Sequence, residues 1–162
     1  MMQNPLVGII MGSKSDVAVM ESAGRLLDQF EIPYEMKILS AHRTPDQTAE
    51  YVMELEERGV KVLIAGAGWA AHLAGVSAAR TTLPVIGVPI DSSPLKGMDS
   101  LLSTVQMPPG VPVATMSIGK GGAYNAAVFA VRILSLLDPA VARRYRSFIE
   151  DMAKEVISNS DL

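Results

Sequence analysis

The feature that most constrains this chain is an alternation: short apolar runs, each soon stopped by glycine or proline, are followed by segments whose apolar residues recur at helical spacing. Residues 6–11 form the first such run, rich in branched side chains and ended by Gly12. A run that is apolar at every position reads as a strand buried on both faces, because a strand with one wet face alternates instead. In residues 16–30, Met20, Ala23, Leu26, Leu27 and Phe30 follow at helical spacing and predict a helix covering one face of a sheet. The unit then repeats. Strands are expected at 34–39, 60–65, 85–88 and 113–118, and helices at 45–58, 70–79, 100–106 and 122–137. Thr44-Pro45-Asp46-Gln47 offers the second helix a cap, a first-turn proline, an early acid and a capping-box glutamine, and Gly59 follows its end.

Five strands alternating with helices imply a parallel sheet joined by right-handed crossovers, with helices on both faces. The expected class is therefore α/β: a flavodoxin-like doubly wound three-layer sandwich with strand order 2-1-3-4-5. With 162 residues, 49% of them hydrophobic, the chain supports one substantial core, so a single domain over 1–162 is expected, with its core at 6–137. Residues 139–158 read as a more polar C-terminal helix, placed outside the core or against another subunit, which makes a homo-oligomer plausible on sequence grounds.

Charge and composition narrow the function. A net charge of −3 with scattered Lys and Arg argues against nucleic-acid binding through a broad basic surface, so an anionic ligand must be held locally. The absence of cysteine excludes disulfides and thiolate metal sites or nucleophiles. The first residues lack a basic stretch followed by a long apolar one, so neither a secretion signal nor a membrane span is expected, and a cytoplasmic location is.

In a doubly wound sheet, ligands bind beyond the carboxyl ends of the strands, where strand order reverses. That rule selects the loops after strands one, two and three. Gly12-Ser13-Lys14-Ser15-Asp16 leads from a strand into a helix and offers backbone N–H groups, hydroxyls and an ammonium to an anion. It lacks the earlier glycine of a Walker A loop, and Ser15 or Asp16 can equally serve as a helix cap. Ser40-Ala41-His42-Arg43-Thr44-Pro45 is the sharper signal. An imidazole can donate and accept a proton in turn, and a guanidinium can grip phosphate through two parallel hydrogen bonds, a pair suited to acid–base work on a phosphorylated substrate.

The third loop, Gly66-Ala67-Gly68-Trp69-Ala70-Ala71, fits G-x-G-x-x-A, and Asp91 lies about where a ribose-binding acid is sought. Against a nicotinamide dinucleotide, the match falls in the third strand unit and leaves no separate substrate domain. His72 is expected in the first or second turn of the following helix, either as a neutral, partly buried hydrogen-bonding group or as part of the site. Gly119-Lys120-Gly121-Gly122 is explained by turn sterics as readily as by anion binding.

These words occur together in one order: Met11-Gly12-Ser13-Lys14-Ser15-Asp16, Ser40-Ala41-His42-Arg43-Thr44-Pro45, Ala65-Gly66-Ala67-Gly68, Ala70-Ala71-His72-Leu73, Asp99-Ser100-Leu101-Leu102-Ser103 and Val105-Gln106-Met107-Pro108. Over residues 6–137 the chain closely resembles the N5-carboxyaminoimidazole ribonucleotide mutase family, the catalytic-subunit type of phosphoribosylaminoimidazole carboxylase. The resemblance implies an octamer that converts N5-carboxyaminoimidazole ribonucleotide to 4-carboxy-5-aminoimidazole ribonucleotide without ATP, metal or redox cofactor. It implies that His42 moves the proton and that Ser13, Asp16 and Arg43 bind the ribonucleotide. Gly12, Ser40, Gly68 and His72 complete the expected substrate-binding set. Two positions depart from the family pattern: Trp69 stands where a glycine is common and Ala74 where a proline is common. The related branch that uses carbon dioxide directly tends to carry lysine where Arg43 stands, which favours the mutase. A direct carboxylase and a non-catalytic ribonucleotide-binding module are the alternatives.

Overall fold

A computed structural model describes residues 4–160. Its five strands are β1 (Val7–Met11), β2 (Tyr34–Ile38), β3 (Val62–Ala67), β4 (Val85–Pro89) and β5 (Ala114–Thr115), all parallel, in the order β2-β1-β3-β4-β5. The helices are α1 (Val17–Gln29), α2 (Pro45–Glu54), α3 (Leu73–Ala78), α4 (Met98–Val105), α5 (Lys120–Ser135) and α6 (Pro139–Ser158).

Alternation of side chains along buried strands divides the core in two. Ile9 and Ile64 point to the face covered by α1 and α5, where they meet Met20, Leu27, Ala126 and Ala130. Ile10 and Leu63 point to the other face, against Tyr51, Val52 and Leu73 of α2 and α3. All of β1 is buried. Truncating Ile9 or Ile10 to alanine therefore costs about 2–5 kcal/mol in lost transfer and cavity energy. Helix α6 joins the first of these layers only through its first half: Val141 is buried, and Phe148 meets Phe30 edge-on with ring centroids 5.3 Å apart.

Several elements differ from the sequence expectation for identifiable reasons. Strand β3 runs two residues later than 60–65, so Gly66 lies inside the sheet opposite Met11. Any Cβ at position 66 would collide with the Met20 side chain. Helix α2 stops at Glu54 rather than 58, and looser turns continue to Gly59, whose φ of +87° takes the left-handed conformation that glycine permits. Only Ala114 and Thr115 of the expected strand 113–118 pair with β4. Beyond them, single bonds from the Met116 and Gly119 amides to the Gly87 and Pro89 carbonyls keep the chain alongside. Helix α3 begins at Leu73 rather than 70 and leaves residues 68–72 as an irregular loop, which makes His72 its N-cap residue rather than a residue of its first turns.

Candidate active site

Three loops meet at the carboxyl ends of β1, β2 and β3. The first begins with a 3-10 turn, Lys14–Asp16, whose N-cap is Ser13: its hydroxyl accepts the Ser15 amide at 3.4 Å. Asp16 occupies the N-cap position of α1 but makes no capping bond, contrary to one reading of the sequence. As a residue, Asp16 is only 4% exposed. Burial pushes the Asp16 carboxyl above its usual range, against the opposing pull of the Ser13 amide, the Ser15 hydroxyl and the Arg43 charge.

The second loop is closed by Thr44. Its side chain does not form the expected capping box; Oγ1 instead accepts the Ser40 amide at 2.9 Å and donates to the Ser40 carbonyl at 3.1 Å. Closing 40–44 in this way leaves His42 and Arg43 at the exposed tip. Arg43 then reaches across to the first loop, donating from Nη2 to the Gly12 carbonyl at 2.6 Å, while its backbone amide bonds Ser40 Oγ at 3.2 Å. A guanidinium carries five N–H donors, so this tie leaves several for a ligand.

The third loop is pinned at both ends. A Cβ on Gly68 would overlap Ser92 Oγ, and the Ala71 amide donates to Ser103 Oγ at 2.9 Å. Between these anchors Trp69 sits at φ +54° with 60% of its surface exposed. For a residue with a Cβ that conformation costs about 1–2 kcal/mol. His72, exposed rather than partly buried, lies with its Nδ1 2.7 Å from His42 Nε2, the rings edge-to-face. At that distance one nitrogen donates and the other accepts, the direction being set by the tautomer of each ring. Two protonated nitrogens would set N–H against N–H.

The loops enclose a cavity of about 550 Å³. His42 and His72, Arg43 and Ser40, Gly12 and Ser13, and Asp16 and Gly68 all line it, so every residue singled out as catalytic or substrate-binding reaches one space. Lys14, Asp91 and Lys120 do not line it. Ser92 does, from the loop after β4, a fourth loop that the switch-point rule between strands one and three does not select. The G-x-G-x-x-A match leads from a strand into an irregular loop rather than onto a helix N-terminus, so the backbone geometry a dinucleotide pyrophosphate requires is missing. Among the described residues, no group of three or more His, Asp or Glu side chains is gathered as a metal site.

Fold and pocket define a class: a doubly wound α/β protein with a histidine–arginine–aspartate site at the switch point of its sheet. Residues 6–155 match the family model described as AIR carboxylase, and the chain belongs to that family. The match runs past residue 137 and takes in most of α6. The N5-carboxyaminoimidazole ribonucleotide mutase of Bacillus subtilis (strain 168) is 59% identical over 157 residues, covering 97% of this chain and 97% of that protein. The protein of the same name from Pyrococcus horikoshii is 55% identical over 154 residues, covering 95% of this chain and 86% of its own. The crystal structure of Treponema denticola PurE has a TM-score of 0.87 at 33% identity, covering 96% of each chain.

Proposed function

We propose that this chain is an N5-carboxyaminoimidazole ribonucleotide mutase of de novo purine biosynthesis, producing 4-carboxy-5-aminoimidazole ribonucleotide, with His42 as its general acid and base. The observation that carries the reading is that His42 stands with Arg43 and Asp16 around one cavity, in a chain 59% identical to a mutase over nearly its whole length.

The chemistry suits these groups. Arg43 and the Ser13 hydroxyl supply donors to the phosphate, whereas the Asp16 carboxylate would repel phosphate and instead accepts from ribose hydroxyls. In the reaction the N–C bond to the carboxyl group breaks, carbon dioxide departs, and protonated His42 gives its proton to the ring's amino nitrogen. Carbon 4 then attacks the carbon dioxide, and neutral His42 removes the proton from carbon 4. The proton given in the first half returns in the second, so the isomerisation balances without ATP. Holding carbon dioxide beside carbon 4 preserves a proximity advantage of about 7–11 kcal/mol. Small groups at Gly12, Ala41, Ala67, Gly68 and Ala70 leave space for it.

The working form is an octamer in the cytoplasm. In support, Leu136 and Leu137 and, on the far half of α6, Met152, Val156 and Ile157 are exposed apolar residues available to neighbouring subunits. No helix among the described residues is long and apolar enough to cross a membrane.

Incubation of the purified protein with N5-carboxyaminoimidazole ribonucleotide, without ATP and with labelled bicarbonate, tests the proposal. The expected product forms at a rate independent of bicarbonate and initially carries little label. Product that forms only from aminoimidazole ribonucleotide and labelled bicarbonate would replace the mutase with a direct carboxylase, and binding without turnover would leave a ribonucleotide-binding module.

A further inference from the structure

Trp69 is the chain's only tryptophan and the only Phe, Tyr or Trp side chain lining the cavity. It is poorly explained by packing. The indole is 60% exposed, so it gains little from burial within the subunit, and its backbone holds a φ of +54° that a glycine would adopt without strain. Position 69 cannot relax easily, because Gly68 is wedged against Ser92 and Ala71 is bonded to Ser103. A large aromatic kept in a strained conformation at a pocket wall has its partner outside the chain's own core.

The chemistry of that partner follows from what else lines the cavity. Arg43, Ser13 and Asp16 are polar groups for the phosphate and sugar, and the two imidazoles are bonded to each other. Trp69 is thus the broad apolar π face left for a planar ring. It also shares its loop with His72, whose Nδ1 meets His42 Nε2, so the π face and the proton-transfer pair are carried on connected supports. We propose that Trp69 is a substrate-binding residue whose indole stacks on the five-membered aminoimidazole ring and sets that ring's orientation before His42. This rests on the ribonucleotide reading above and adds to it the group that recognises the base.

The lone tryptophan makes the test direct. Trp69 fluorescence is followed while aminoimidazole ribonucleotide or ribose 5-phosphate is added to the intact protein, with binding measured in parallel by calorimetry. The ribonucleotide is expected to change the emission saturably, whereas ribose 5-phosphate, which lacks the ring, binds without a comparable change. Trp69→Gly should bind the ribonucleotide roughly 5- to 150-fold more weakly, the range that base–aromatic stacking supplies, while Trp69→Phe retains most of the affinity. The Trp69→Gly protein should also melt no lower than the parent, since glycine accepts the φ at 69 freely; a purely structural role would lower the melting temperature and leave affinity unchanged. The stacking inference falls if calorimetry shows ribonucleotide binding with no emission change, if ribose 5-phosphate changes the emission equally, or if Trp69→Gly binds as tightly as the parent. A parent protein that binds no ribonucleotide at all overturns the proposed function as well.

Discussion

Glu35, Arg58 and Tyr51 on the flank of the sheet use side-chain chemistry similar to that of Asp16, Arg43 and the two histidines at its carboxyl edge, but to the opposite end. On the flank the groups satisfy one another: Arg58 meets Glu35 at 2.7 Å, and the Tyr51 hydroxyl donates to the same carboxylate at 2.9 Å. Burial alone would raise the Glu35 carboxyl, but the bonds from Arg58 and Tyr51, with the charges of Arg58 and Lys37, outweigh it and hold Glu35 below its usual range. Burial and the neighbouring carboxylate push the Tyr51 phenol far up. At the edge, by contrast, Arg43 donates to the Gly12 carbonyl rather than forming an ion pair, and Asp16 stays raised despite that nearby charge. The flank cluster is closed and stabilises the fold. The edge cluster is left incomplete, and an incomplete set of donors and acceptors at a concave surface is what a ligand completes.

The largest expected effect is at His42. Replacing it with asparagine should lower turnover by about 10²–10⁴-fold, the range general acid–base catalysis supplies, with the circular dichroism spectrum and melting temperature retained. Arg43→Ala should weaken ribonucleotide binding roughly 10- to 150-fold by calorimetry, equivalent to the loss of about 1.5–3 kcal/mol of charged hydrogen bonding. No equilibrium constant for a ligand should change when Arg58 is replaced instead, and a change there as large as at Arg43 would erase the distinction between the two clusters.

Asp16→Asn should separate function from stability. A carboxyl whose folded-state pKa is raised destabilises the fold once it ionises, so the variant's stability advantage is absent below the ordinary aspartate range near about 3.9 and grows as pH rises through the raised native value. Near neutrality the variant is expected to melt higher and bind less ribonucleotide. Glu35→Gln should do the reverse at small scale. A lowered carboxyl stabilises the fold above the ordinary glutamate range, so the parent should exceed the variant by roughly 1 kcal/mol or less at neutral pH. That gap should close as pH falls below about 4.3 towards the lowered native value. Equal pH dependence in the two variants, measured by thermal melts across this range, would break the comparison.

Much of this arrangement is legible in the sequence because it depends on local pattern. The unbroken apolar run in β1, the helical spacing from Met20 to Phe30 and the switch-point rule are enough to select the sheet order and three loops that line the cavity. Less legible were contacts between loops about thirty residues apart. The His42–His72 bond and the Arg43 tie to Gly12 exist only after β1, β2 and β3 are side by side, and nothing in the spacing of those residues announces them. Thr44 shows how the same residue type serves two purposes: the Thr-x-x-Gln pattern suggested a helix cap, but the hydroxyl closes the loop at Ser40 instead. Strand β5 is shorter than its apolar run because it lies at the sheet edge and pairs with β4 only at Ala114 and Thr115. Loop 68–72 is not helical because the propensity of its alanines yields to two bonds that fix Ala71: its amide donates to Ser103 Oγ and its carbonyl accepts from Thr104 Oγ1.

Crystallography of the protein with 4-carboxy-5-aminoimidazole ribonucleotide bound measures the central geometry most directly. The account predicts the phosphate on Arg43 and a His42 ring nitrogen within hydrogen-bonding reach of the group on carbon 4, about 3 Å or bridged by one water. A ring bound with carbon 4 turned away from His42, beyond the span of one water and with the loops already closed around it, would contradict the account.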